Sequence, residues 1–131
     1  MGDRTNVGVV MRGSNGQEKL GILWVYSHWG LPGITASIAK ALDNAKGRWD
    51  DDMYGQRIFV QSIMEAGGME GGSELGGGLS FNFIADNEHK LWVADFYDQT
   101  MYLFPEYSGG LDTPEPLVAT SFQNFVTKYL K

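Results

Sequence analysis

The chain contains no cysteine. That removes disulfide scaffolds, thiol nucleophiles, zinc fingers and iron–sulfur ligation together, and it suits a reducing compartment. Basic residues are scarce as well: ten Lys and Arg stand against sixteen Asp and Glu, giving a net charge of −6 and a pI near 4.7. Such a surface repels a phosphate backbone at neutral pH and lacks the long-range attraction that nucleic-acid binders use, so duplex binding is disfavoured. No stretch approaches the 18 or more apolar residues of a membrane span, and the opening "MGDRTN" lacks the basic end and apolar run of a signal peptide. Asn6 stands where a myristoylation pattern needs Ser or Thr. A soluble, cytoplasmic chain with no membrane partner is expected.

Glycine, by contrast, is in excess: 18 of 131 residues, about twice the usual ~7%. A chain of this length makes one domain and buries roughly two thirds of its unfolded surface. Seven of the glycines fall in "GGMEGGSELGGG" at 67–78, which holds almost nothing to bury and reads as a flexible loop, a candidate lid over a ligand. It lacks Gly-Lys-Ser/Thr and precedes a strand rather than a helix, so the P-loop and Rossmann readings fail on context.

Two antiparallel strands open the chain, one from Thr5 to Met11 and one from Leu20 to Trp29. In the second, the two-residue period puts Trp24, Tyr26 and His28 on one face and Ser27 and Trp29 on the other, and both faces are apolar enough for a central position. A helix follows, with Ile34, Ile38, Ala41, Leu42 and Ala45 at helical spacing and Gly47 as its left-handed cap. A second helix runs from about Asp52 to Glu65, with a stripe of Tyr54, Ile58, Phe59, Ser62 and Ile63, aspartates at its positive end, and Gly67 and Gly68 stopping it. Strands at Leu79 to Ala85, Lys90 to Phe96 and Thr100 to Phe104 read as an antiparallel meander. The last helix carries Phe122, Phe125, Val126, Tyr129 and Leu130 on one face behind Thr120 or Ser121 as cap. The resulting order, ββααβββα, is a single-domain α+β fold: a five-stranded, mainly antiparallel sheet with three helices.

Ser27 and His28 are neighbours in a strand and point to opposite faces, so they do not pair as nucleophile and base, and no G-x-S-x-G elbow is present. His28, His89 and Asp50 to Asp52 are the candidate metal ligands, but without a helical His-x-x-x-His pairing; helix capping by the aspartates is the plainer explanation. No cofactor motif is present. The richer constellation lies on loops and strand ends: Tyr26, His28 and Trp29; Arg48, Trp49 and Asp50; Asn87 and His89. Aromatic rings stack on a base, arginine pairs with phosphate, and Asn or Asp reads hydroxyls and base edges, so this set would suit a nucleotide-like ligand. The plainer reading makes Trp29 and Trp49 packing anchors.

Three segments, "YSHWG", "GRWDDDMYGQRIFVQSIM" and "DNEHKLWVADFYDQTMYL", together resemble a family of small, mostly uncharacterised proteins of phages, prophages and bacterial genomes, over about residues 5 to 104. That resemblance implies a setting of host takeover or counter-defence, in the host cytoplasm. The tail, "ADFYDQTMYLFPEYSGG" leading to "PLVATSFQNFVTKYL", is similar to the end of SUKH-type immunity proteins, which would imply toxin neutralisation by direct binding; "YSHW" and "RWDD" depart from that family.

The leading expectation is a non-enzymatic binding protein that captures a small nucleotide-like signal or a host defence component. A second is an immunity-like or inhibitor protein whose acidic surface meets a basic toxin or host enzyme. A third is a hydrolase built on His28, His89 and an aspartate. Assembly of the chain with itself would suit an exposed tryptophan equally well.

Overall fold

A computed structural model describes residues 3–13, 17–69, 71–73 and 75–130, apart from the side chain of Asp52. The elements run β1 (Thr5–Arg12), β2 (Lys19–Ser27), α1 (Ile34–Asn44), a 3-10 turn (Lys46–Arg48), α2 (Asp52–Ala66), β3 (Gly77–Phe81), β4 (Leu91–Asp95), β5 (Thr100–Phe104), β6 (Val118–Ser121) and α3 (Phe122–Tyr129). The α+β class and the three α-helices are as expected. The sheet differs: it has six strands in the order β3-β2-β1-β4-β5-β6, and β1 pairs with β4 in parallel while the other four pairings are antiparallel.

The expected meander of three strands is therefore corrected. β3 and β4 do not touch; β3 pairs outside β2, and β4 inserts between β1 and β5. Burial explains the placement. Every residue of "LWVAD" in β4 is buried, which requires cover on both faces and hence a central position, whereas "GGLSF" in β3 is largely exposed and suits an edge. The "DNEH" stretch is not a hairpin but part of a crossover between parallel strands. The sixth strand escaped the sequence reading because "VATS" is short and three of its four residues are exposed.

One face of the sheet, carrying Val7, Val9, Val25, Trp92, Ala94 and Met101, packs under the three helices. Here Phe59 and Ile63 of α2 meet Ile38 and Leu42 of α1 and Phe122, Phe125 and Val126 of α3. The buried line of α2 runs through Gly55, Phe59 and Ile63, so Tyr54, expected on that stripe, points outward. The opposite face, with Val10, Ile22, Trp24, Leu91, Val93 and Phe104, is covered only by irregular chain, from which Ile84 and Tyr107 pack down. The Trp24 indole N–H donates to the Gly109 carbonyl at 2.8 Å, pinning that cover to the sheet.

Caps follow the sequence at α2 and α3 but not at the end of α1. Ser121 accepts from the Asn124 N–H at 3.1 Å at the start of α3. Gly68, at φ 87°, ends α2: its N–H reaches the Glu65 carbonyl and the Met69 N–H reaches that of Met64, a Schellman closure. α1, however, stops at Asn44 rather than at Gly47, and Ala45 leads straight into the 3-10 turn that holds Gly47. Among the described residues no helix is long and apolar enough to cross a membrane.

Two predictions follow from this packing. A helical Gly-to-Ala change ordinarily gains about 1 kcal/mol, but a Cβ on Gly55 would stand 2.3 Å from the Arg48 carbonyl oxygen and 2.9 Å from the Phe96 ring. Gly55→Ala should therefore lose about 2 kcal/mol in a urea titration; unchanged or increased stability would show that α2 shifts freely. Burial pushes the Tyr107 phenol up to about 12, and burial followed by a hydrogen bond to Asp98 does the same to Tyr102. Both favour the neutral phenol in the fold, so their contribution is complete below pH 10 and is lost as pH rises toward 12. In alkaline titrations of stability, Tyr102→Phe/Tyr107→Phe should flatten the wild-type decline between those values.

Candidate functional site

β2 ends at Ser27, and the next residues turn across the end of the sheet. Tyr26 and His28 share a face, as the alternation requires, and the Tyr26 hydroxyl lies 2.8 Å from His28 Nδ1. The His28 N–H donates to the Gly76 carbonyl at 2.7 Å, which ties this turn to the start of β3. Trp29 was expected on the opposite face. Because the strand has already ended, its indole swings back edge-to-face on His28, with ring centroids 4.4 Å apart. It is 63% exposed.

Tyr26, His28, Trp29, Leu75, Gly76 and Gly77 line an open recess of about 380 Å³. Gly76, at φ 110°, forms part of its floor, and a Cβ there would meet the Trp29 indole at 3.0 Å. On the other side of Tyr26 lies a second cleft, of about 330 Å³, bounded by Asn6, Ser80, Phe83 and Asp86. The ends of "GGMEGGSELGGG" belong to regular structure: Gly67 and Gly68 close α2, and Gly77 and Gly78 begin β3. Between these, Met69, 71–73, Leu75 and Gly76 lie in no helix or strand, and Glu70 and Glu74 of the expected flexible lid lie outside the described residues.

The parallel pairing of β1 with β4 brings a polar network to this same end of the sheet. His89 Nε2 lies 2.5 Å from Asp3 Oδ1, and the Asp3 N–H donates to the His28 carbonyl at 2.9 Å. Asn6 donates to the Asp86 carbonyl and to Asn87 Oδ1, while Asn87 donates to Glu106 and to the His89 carbonyl. Arg4 is paired with Asp86 at 2.8 Å and Glu88 at 3.4 Å. The Arg4 backbone N–H, foremost, holds the Glu88 carboxyl below the ordinary carboxylate range. Asn87 and His89 are thus structural members of a loop clamp beside the recess and do not line it.

Arg48, Trp49 and Asp50 stand apart from both groups. Trp49 is 9% exposed; its indole N–H donates to the Leu42 carbonyl and its ring meets Phe122 edge-on at 5.4 Å. The Trp49 carbonyl faces Gln99, beyond the far end of β4 from His89. Five strand residues, roughly 16 Å, separate the two ends. Arg48 lies over the exposed Tyr54 ring, and Asp50 is exposed. The single constellation anticipated from sequence is divided, and among the described residues no lysine or arginine lines the recess.

Catalytic and metal geometries are equally specific. The Ser27 hydroxyl is buried and donates to the Gly30 carbonyl at 2.8 Å. Among the described residues no serine or threonine hydroxyl bonds either imidazole, and no group of three or more His, Asp and Glu is placed to hold a metal ion. Asp51 caps α2 by accepting from the Tyr54 N–H.

Sequence reasoning missed Asp3, Asn6 and Leu75 at this end, none of which forms a motif. It also missed Asp95, which did carry a signal: a carboxylate in an otherwise apolar buried strand demands a partner. That partner is Arg12, whose Nη2 lies 2.5 Å and Nε 3.0 Å from the two carboxylate oxygens. The hydrogen bond to Asp95 raises the guanidinium further above its ordinary value, against the opposing effect of burial.

No protein-family model, curated protein or solved structure matches this chain.

The two tryptophans should respond oppositely to truncation. Trp29→Ala should change stability by no more than about 0.5 kcal/mol, whereas Trp49→Ala should cost about 3–5 kcal/mol. Urea unfolding of both variants checks this, and a large loss in Trp29→Ala would assign that ring to the core.

Proposed function

We propose that this chain is a phage- or prophage-associated, non-enzymatic binding protein that captures a small nucleotide-like signal, in counter-defence within the host cytoplasm. One observation carries the ligand reading: the Tyr26 hydroxyl orients the His28 imidazole beside an exposed indole, above a recess edged by glycine backbone. Trp29 offers an open face on which a planar heterocycle stacks, and such stacking contributes about 1–3 kcal/mol. His28 Nε2 has no partner among the described residues, so it is available to a base edge. With no arginine or lysine in the lining, the heterocycle rather than the phosphate supplies the affinity. The phage setting rests on the likeness of the "YSHWG", "RWDD" and "DNEH" segments.

A second reading, an immunity-like or inhibitor protein, draws on a different observation. β3 is an edge strand whose Leu79 and Phe81 are exposed, and it carries no charge or proline to discourage pairing. A partner protein, or another copy of this chain, would add a strand there.

Isothermal titration against a panel of nucleosides, nucleotides and cyclic dinucleotides separates these readings. Ligand capture requires a saturable heat that Trp29→Ala abolishes and His28→Ala weakens by about tenfold or more, while Arg48→Ala leaves it unchanged. Absence of heat across the panel, with a single protein recovered by pull-down and lost on Phe81→Lys, would replace the first reading with the second.

A further inference from the structure

The second face of the sheet holds a partly open pocket that belongs to neither the recess nor its clamp. It measures about 170 Å³ and lies between the sheet and the chain leading to β6. Val10, Ile22, Val93 and Phe104 contribute from the sheet, and Leu111 and Pro116 from the covering chain. Tyr102, whose hydroxyl donates to Asp98, and Thr113 complete a mixed lining, and a volume of ~150 Å³ is enough for a benzene ring.

Its polar groups are unequal. Asp95 also lines it, but its carboxylate is committed: Arg12 donates to both oxygens, and the Tyr97 N–H donates to Oδ1 at 3.1 Å. Arg12 is committed in turn, to Asp95, to the Gln17 carbonyl and to the Tyr97 ring, 4.6 Å away. This pair, with side chains 6% and 2% exposed, forms a neutral end wall.

Lys19 is different. Regular pairing of β1 with β2 would set Leu20 opposite Arg12. A bulge at Met11/Arg12 sets Lys19 there instead, so the lysine lines the cavity and Leu20 is left 51% exposed. Bulges re-aim side chains in this way, commonly beside binding sites. Like the other described lysines, Lys19 is in no ion pair; it is set apart by its place in the lining of the pocket.

We infer that this pocket binds a small monocarboxylate with a single-ring or branched aliphatic body, the apolar part held between sheet and cover and the carboxylate at Lys19. The volume of about 170 Å³ accommodates a body of one ring. The saturated Arg12–Asp95 pair leaves Lys19 as the charge that selects the head group, and a cationic head would be repelled by it.

Phenylacetate is the probe, with benzyl alcohol as its uncharged counterpart, followed by methyl NMR on the full chain. Saturable shifts are expected for the methyl groups of Val10, Ile22, Val93 and Leu111. Lys19→Gln, at an exposed position, should weaken phenylacetate by about twofold to fivefold and leave benzyl alcohol unchanged, the effect of losing one rim charge. Trp29→Ala should alter neither titration, which separates this cavity from the recess. The inference is overturned if those methyls do not move at high phenylacetate, or if Lys19→Gln binds phenylacetate as wild type does.

Discussion

The parallel pairing of β1 with β4 is the constraint on which the rest of the molecule depends. It joins the three-stranded unit of β1, β2 and β3 to that of β4, β5 and β6, through the register Val7↔Trp92, Gly8↔Val93 and Val9↔Ala94. Only this junction makes one sheet wide enough for three helices to pack side by side on one face. A Cβ on Gly8 would come within 2.8 Å of the Trp24 ring, so the central strand needs glycine there for the indole to lie across it. At one end the junction is closed by Arg12 on β1 and Asp95 on β4, a buried pair in which the carboxylate accepts two bonds from the guanidinium and Arg12 donates a third to the Gln17 carbonyl. At the other end it is closed by Arg4, Asn6 and Asp3 meeting residues 86 to 89.

That arrangement divides the molecule's chemistry into separate places. The aromatic recess and the His89–Asp3 clamp share one end because parallel strands begin together. The cavity beside Asp95 lies toward the opposite end, on the sheet face that lacks helices, where irregular cover leaves room that helix packing would have filled. Trp49 was drawn into the helix layer by its contact with Phe122, and with it Arg48 and Asp50 were carried away from the recess. Among the described residues the ring-bearing rim therefore carries no lysine or arginine, and Lys19 lines a different pocket.

Much of this was legible residue by residue. The α3 stripe of Phe122, Phe125 and Val126, the Ser121 cap, the limits of α2 to within a residue and the shared face of Tyr26 and His28 all follow from local periodicity and capping chemistry. Trp29 did not follow, because alternation holds only while the strand continues, and the turn after Ser27 depends on Gly30 at φ 83° against Asp3. The outward direction of Tyr54 was hidden for a related reason. An aromatic residue and a glycine compete for the same helical face, and Gly55 occupies the inner one because Phe96, distant in sequence, leaves no room for more.

The sequence by itself determined the α+β class, the three helices, five of the strands and the exclusion of thiol chemistry, since each depends on residue type or on spacing within about ten positions. Tertiary structure alone decided which strands are neighbours, that β6 exists, and that β3 forms an edge rather than part of a meander. Strand order is set by which segments can be covered on both faces, a property of the assembled layers rather than of any one segment. The same holds for function: periodicity could assemble a list of aromatic, basic and imidazole residues, but only the parallel junction showed that the list occupies different ends of one sheet.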